Sequence, residues 1–300
     1  VVGAGAMGCL FGGLLSEGGL EVTLVDKWHE HVDAINNNGL KLVGVGGERT
    51  QKVRATTDAS KLGKFDVIII QCKATQTKEA VESVKHMLHD KTVAVSFQNG
   101  LGNENIMSEI LGDDHVFGGQ TLQGVNIEGP GIVRIYTNLV SYMGEWNGGP
   151  SNRCARLCQI FSKYGLPTLE DTEIKKKIWM KVIYNCVVSP LSTLTNLAHK
   201  DIYSRKDAIT VADSIIKESV AVARAEGLDI TDEEGRECLD KVIASNQSNK
   251  SSMCVYVLQK RKSEMDFING RILTLAEKHK IDVSMNRLMV FSVKALESHY

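Results

Sequence analysis

Residues 1–26 read VVGAGAMGCLFGGLLSEGGLEVTLVD, and their punctuation decides the fold. Val1-Val2 end a strand, and Gly3-Ala4-Gly5-Ala6-Met7-Gly8 supplies the spacing G-x-G-x-x-G. Cys9–Glu17 then reads as a helix in which Gly12 and Gly13 permit close packing. Gly18-Gly19 stop that helix, and Glu21–Val25 is a second strand ending at Asp26, 18 residues past the third glycine. Each glycine of the motif has a physical task. The first allows the tight turn, the second lets backbone approach a pyrophosphate, and the third packs helix on strand. The helix N-terminus offers unpaired N–H groups and a positive dipole end to phosphates. An isolated G-x-G-x-x-G is a weak signal, but one placed between strand and helix, with an acid at the next strand end, is strong. Gly3, Gly5, Ala6, Met7 and Gly8 are therefore expected to cradle the pyrophosphate of a dinucleotide. At the strand end, the Asp26 carboxylate can accept from a ribose 2′-OH but repels a 2′-phosphate, which favours NADH over NADPH. Lys27 is the neighbouring cation that could offset that repulsion.

Outward from this stretch, strands and helices alternate. His29–Asn38 reads as a helix, and Phe65–Cys72 (FDVIIIQC) is a continuous apolar run suited to a strand buried on both faces. Val81–Leu88 reads as a helix and Thr92–Phe97 as another core strand. Leu122–Ile127 and Ile132–Ile135 flank the turn Glu128–Gly131 as a meander. Alternation of this kind predicts a doubly wound sheet with ligands at the carboxyl ends of its strands. Lys73 and Asn99 stand just past two such ends, either as site residues or as ordinary loop polarity. From Ser151 onward helical patterns dominate, at Asn152–Tyr164, Ile174–Leu197, Asp207–Glu226, Asp232–Ser245, Met253–Glu277 and Ser284–Glu297, and strand signals cease. Asn246–Ser252 (NQSNKSS) reads as a loop or helix start. The expected fold is α/β, an N-terminal Rossmann-type doubly wound sheet followed by a C-terminal all-helical domain. The expected boundaries are 1–167 for the dinucleotide-binding domain and 168–300 for the helical substrate and catalytic domain.

The helix Ile178–Asn196, IWMKVIYNCVVSPLSTLTN, carries an unusual polar stripe. At about 100° per residue, Lys181, Asn185, Ser189, Ser192 and Asn196 fall within an arc of roughly 80°. A solvated face usually bears several charged residues, yet this one has a single Lys among neutral hydrogen-bonding groups. The stripe suits a buried helix with one edge on a polar cleft, or equally a mild amphipathic face or a polar network within a bundle. Pro190 removes one backbone hydrogen bond and is expected to kink or interrupt the helix.

Bulk composition narrows the classes. Three hundred residues with 43% hydrophobic and 24% charged content describe a soluble globular protein with room for sizeable cores. A formal net charge of −1 gives no reason to expect nucleic acid or an anionic membrane as partner. No apolar run reaches the ~18 residues of a membrane span, and no basic segment precedes the first apolar stretch, so a cytoplasmic location is expected. Seven scattered cysteines complete no zinc pattern, so no metal is expected and the thiols read as small core residues. Apolar surface on the helical half could make a homodimer.

The stretches GAGAMG at 3–8, CKATQ at 72–76, NGLG at 99–102, GPG at 129–131, WMKVIYNCVVSPLSTLTN at 179–196, SSM at 251–253 and SEMDFING at 263–270 are similar to the ketopantoate reductase (2-dehydropantoate 2-reductase) family over essentially the whole chain. The resemblance implies NADH- or NADPH-dependent reduction of a 2-oxo acid at its ketone carbon. It further implies that Lys181 is the general acid and that Asn185 and Ser252 bind substrate. Glu264 would partner the substrate hydroxyl or Lys181, Asn99 would lie near the nicotinamide, and Lys73 near the cofactor. Ser189 and Asn196 of the stripe join the substrate contacts. An ammonium beside a carbonyl that becomes an alkoxide both stabilises the charge and supplies the proton. Two departures stand out: Ser189 where many members carry Asn, and Val255-Tyr256 where many carry Gln-Asp. An NAD-dependent D-2-hydroxyacid dehydrogenase of the same family is the alternative enzyme, and a non-catalytic dinucleotide sensor the alternative outside enzymology.

Overall fold

The apolar runs of the first half become the strands of one sheet. A computed structural model describes residues 1–245 and 248–300. The chain divides into two compact units, Val1–Gln98 with Asn103–Lys175, and Asn99–Gly102 with Lys176–Tyr300.

The first unit begins with α1 (Ala6–Glu17), β1 (Thr23–Val25), α2 (His29–Asn38), β2 (Leu40–Gly44), β3 (Arg49–Gln51) and β4 (Arg54–Thr56). It continues through β5 (Val67–Ile70), α3 (Thr77–Val84), β6 (Val93–Ser96), α4 (Asn103–Leu111) and β7 (Val116–Gln120). It ends with β8 (Val125–Gly129), β9 (Ile132–Ile135), β10 (Ser141–Glu145), α5 (Asn152–Lys163) and β11 (Thr168–Glu170). The strand expected at Val1-Val2 is reduced to one bridging residue, Val2, which pairs in parallel with Val25 and with Ile70. Val2 thereby joins β4-β1 to the row β5-β6-β7-β10-β11. Strands β5, β6 and β7 are parallel, and β10 runs antiparallel to β7. The meander pairs β8 with β9 as expected, but β9 then joins β2 in parallel, forming a second sheet of order β3-β2-β9-β8. A β-carbon on Gly12 would lie 2.5 Å from Leu24, and one on Gly13 3.0 Å from Leu42, so both glycines let α1 press onto strand side chains.

Strands do not cease at Ser151, because β11 follows α5 and pairs in parallel with β10. Three residues are too few to show a period, which is why the sequence conceals it.

The second unit is helical. It contains α6 (Ile174–Thr195, whose first two residues belong to the first unit), α7 (His199–Tyr203), α8 (Lys206–Ala225) and α9 (Asp232–Ser245). It is completed by α10 (Ser252–Leu258), α11 (Asn269–His279) and α12 (Ser284–Glu297). The single helix expected at Met253–Glu277 is two. Lys260 takes a left-handed φ of 56°, and a 3-10 turn at Met265–Phe267 precedes α11. Within the expected loop Asn246–Ser252, residues 246 and 247 lie outside the described residues, and Ser252 opens α10.

Pro190 does not interrupt α6, which runs as one helix across it. Proline has no N–H, so the carbonyl four residues back, at Cys186, loses its helical partner. Asn269 replaces it: Nδ2 donates to the Cys186 carbonyl at 2.9 Å and to Asn286 Oδ1 at 3.0 Å. Asn286 Nδ2 donates in turn to Glu218 at 2.8 Å, and Glu218 accepts the backbone N–H groups of Met285 and Asn286 at the start of α12. One polar chain therefore links α6, α11, α12 and α8. Asn269→Ala is expected to cost about 2 kcal/mol by stranding a buried carbonyl. In a Pro190→Ala background, where the backbone supplies its own N–H, the loss measured by urea unfolding should shrink, and equal losses would refute the compensation.

Candidate functional site

The glycine turn is set by backbone meeting backbone. Gly3 has φ 95°, and a β-carbon there would lie 2.6 Å from Cys72 Cα. A β-carbon on Gly8 would fall on the carbonyl oxygen of Gly3. Gly5 is different in kind. It is the N-cap of α1, with no side-chain cap and φ −65°, and a β-carbon on it would meet nothing within 4 Å. Protein packing explains Gly3 and Gly8; open space lies at Gly5, where the turn presents bare backbone. Ala6, Met7 and Gly8 carry first-turn amides of α1, which a helix leaves without i−4 partners. These residues fit the pyrophosphate of a dinucleotide.

Asp26 follows β1, with its N–H on the Thr56 carbonyl at 3.1 Å, and its Oδ1 accepts the Trp28 N–H at 3.0 Å. The Nζ of the next residue, Lys27, lies 2.6 Å from Glu79 of α3, both side chains exposed (70% and 67%). Lys73 follows β5 and caps a 3-10 turn at Ala74–Gln76. Gly3, Gly5, Ala6, Met7, Gly8, Asp26 and Lys73 thus gather in the first unit at the carboxyl ends of its parallel strands.

Beneath the turn lies a relay absent from the sequence reading. His31 is fully buried and stacks on Trp28, with ring centroids 4.8 Å apart. Its Nδ1 accepts the Gly131 N–H at 3.1 Å, which puts the ring proton on Nε2, 3.3 Å from Cys9 Sγ. Cys9 Sγ donates to the Ala4 carbonyl at 3.1 Å, inside the glycine turn. Burial holds the imidazole below its ordinary pKa, against the opposing charge of Asp26, so the ring is neutral. The His29–Asn38 helix pattern shows His31 on an inward face; the sequence gives no sign of the partner at Gly131.

In the second unit, Asn99–Gly102 packs on the turn after Glu264. The Leu101 N–H donates to the Phe267 carbonyl at 2.8 Å, and Gly100, at φ 92°, would bring a β-carbon to 2.6 Å from that oxygen. Lys181 projects from α6, one helical turn before Asn185. Desolvation lowers its pKa to about 8, and the charge of Glu264 opposes the fall.

Asn185 and Ser189 line a cavity of about 190 Å³ with Ser252, and Tyr184, Val188, His199, Val242, Asn249, Lys250 and Ser251 complete its wall. The polar stripe therefore divides. Ser189, 3% exposed, reaches the cavity edge, whereas Ser192 is fully buried and accepts the Ser251 N–H at 3.1 Å. Asn196 leaves the helix at φ 58° and stands outside the lining, accepting Lys250 Nζ at 2.7 Å. The helix α6 ends one residue earlier, at Thr195. Val255 and Tyr256 lie on α10 outside the lining, with Arg261 4.7 Å over the Tyr256 ring.

A dinucleotide turn and a helical unit carrying a half-buried lysine of lowered pKa define a nicotinamide-dependent oxidoreductase. Models of the ketopantoate reductase PanE/ApbA family match residues 1–148, and its C-terminal part matches residues 173–297. The chain belongs to the ketopantoate reductase family. It is 32% identical to a 2-dehydropantoate 2-reductase of Pyrococcus abyssi, covering 99% of this chain and 97% of the relative. Two solved structures each superpose with a TM-score of 0.91. One is a PanE/ApbA family ketopantoate reductase from Ralstonia eutropha (28% identical, 99% and 98% covered). The other is a D-mandelate dehydrogenase with NADH and anilino(oxo)acetate (25% identical, 99% and 97% covered).

The two glycines separate folding from binding. Gly5→Ala should fold with an unchanged melting temperature yet weaken NADH binding more than tenfold, measured by fluorescence titration. Gly8→Ala should instead lose several kcal/mol of stability through its clash with backbone. A Gly5→Ala protein that binds NADH normally would place the pyrophosphate elsewhere.

Proposed function

We propose that the protein reduces 2-dehydropantoate to (R)-pantoate, the pantothenate and coenzyme A precursor, using NADH in the cytoplasm. The observation that carries this reading is Lys181: an ammonium of pKa about 8, opposed by Glu264 and one turn from the cavity-lining Asn185. The reduced nicotinamide supplies the hydride when bound. Lys181 then faces the developing alkoxide and delivers the proton, a role best filled by a group titrating near working pH. Asn185, Ser189 and Ser252 offer neutral hydrogen bonds to the acid, and Val188 and Val242 offer apolar wall to its branched chain. Asn99 and Lys73 serve the cofactor, and Asp26 favours the unphosphorylated ribose. Lys27 pairs with Glu79 and so already has a carboxylate partner.

A second reading is a D-2-hydroxyacid dehydrogenase acting on another branched 2-oxo acid. Ser189 favours it, since a hydroxyl offers one donor where an amide offers two, and so does the likeness to D-mandelate dehydrogenase. A panel of 2-oxo acids assayed with NADH and NADPH decides. The first reading expects 2-dehydropantoate to give the highest kcat/KM, and NADH to serve at least as well as NADPH. Preference for 2-oxoisovalerate would select the second reading, and a tenfold NADPH preference would overturn the role of Asp26.

The sign of the pH dependence follows from the lysine. Reduction needs the ammonium, which exists below its pKa, so kcat/KM for reduction should fall as pH rises through about 8. Oxidation of the alcohol needs the free amine and should rise over the same range. Because Glu264 holds the lysine pKa up, Glu264→Gln should move both limbs to lower pH. Lys181→Ala should lower kcat by roughly 10²–10⁴-fold. A folded Lys181→Ala enzyme that keeps a tenth of kcat would take the proton from another source.

A further inference from the structure

One aromatic ring beside the dinucleotide turn is held on one face and open on the other. Trp28 is 40% exposed, yet its indole stacks on the fully buried His31, with ring planes 11° from parallel. We propose that the open face of Trp28 is the platform for the adenine of the dinucleotide. Trp28 thereby sets a preference for an adenine-bearing cofactor, an assignment that rests on the dinucleotide reading of the glycine turn.

The place follows from covalent connectivity. Asp26 stands where a carboxylate accepts from the ribose 2′-OH. Its Oδ1 holds the Trp28 N–H at 3.0 Å, which leaves Oδ2 for the sugar. The base is carried on the ribose carbon next to the one that bears the 2′-OH, so a base on that ribose starts beside Trp28. The indole is also fixed in advance. Behind it, His31 Nδ1 accepts the Gly131 N–H at 3.1 Å, and Nε2 lies 3.3 Å from Cys9 Sγ. Cys9 donates to the Ala4 carbonyl, so the same side chains brace the platform and the pyrophosphate turn. A ring restrained in this way has little freedom left to lose when a ligand binds. Stacking asks only for a flat π-face, which a purine offers. Nicotinamide mononucleotide has no purine and gains nothing from Trp28.

Calorimetric titration separates the base from the phosphates. Wild type, Trp28→Ala and Trp28→Phe are titrated with ADP-ribose, which carries adenine, and with reduced nicotinamide mononucleotide, which does not. Trp28→Ala should weaken ADP-ribose binding roughly 5- to 100-fold, the worth of one base stacked on an aromatic ring. It should leave the affinity for the mononucleotide unchanged, and Trp28→Phe should restore most of the loss. Tryptophan emission supplies a second readout, because ADP-ribose does not absorb where indole emits. ADP-ribose should quench the emission of wild type but not that of Trp28→Phe, although the variant still binds it. Equal ADP-ribose affinity in wild type and Trp28→Ala overturns the platform while leaving the dinucleotide reading intact. Equal losses for both ligands also overturn it, since Trp28 would then only support His31 and the turn. A wild type that binds neither ADP-ribose nor NADH removes the dinucleotide reading, and the platform with it.

Discussion

The hydrogen bond from Asn269 to the carbonyl of Cys186 is the condition on which the helical unit rests. A proline in the C-terminal third of α6 would ordinarily bend or break the helix there. With the stranded carbonyl filled from α11, the helix stays continuous beyond the stretch that carries Lys181, Asn185 and Ser189. Asn269 lies only five residues beyond Glu264. The segment that brings a carboxylate to bear on the lysine therefore also repairs the helix that carries it. Fold and acid–base chemistry share one short piece of chain.

The dinucleotide half obeys a different economy. Its turn admits no side chain at Gly3 or Gly8 because backbone already occupies the space, whereas Gly5 is left bare with nothing against it. Folding alone would tolerate alanine there. The relay from Gly131 through His31 and Cys9 to Ala4 fixes the turn from below, and it does so with neutral groups. A charged support under a phosphate site would have added a field of its own; a neutral one adds none.

Much of this was legible in the residues. The glycine spacing, the acid at 26 and the apolar runs at 65–72 and 92–97 specified the doubly wound sheet, because backbone clearance and burial leave few alternatives. The bounds of α9 and α12 also matched their periodicity. What escaped detection was short or long-range. Strand β11 is three residues long, Val2 is a single bridge, and the break at Lys260 is carried by a left-handed residue that is neither glycine nor asparagine. Periodicity placed Lys181, Asn185 and Ser189 on one face but could not tell that Ser192 bonds to Ser251 or that Asn196 leaves the helix. The continuity of α6 was deducible in principle: a proline four residues after Cys186 demands a donor from elsewhere, and only the fold reveals that Asn269 is the donor.

The thiols described as core residues have a practical meaning. Cys9, Cys154 and Cys158 sit in the first unit and Cys186 and Cys254 in the second, none more than 4% exposed. Burial also raises the pKa of Cys9 and Cys186, which withholds the reactive thiolate. An alkylating reagent can reach these sulfurs only when the surrounding structure opens. Each unit consequently contains its own internal clock. The relative ageing of the two sets of thiols under a mild reagent records which half of the molecule breathes first.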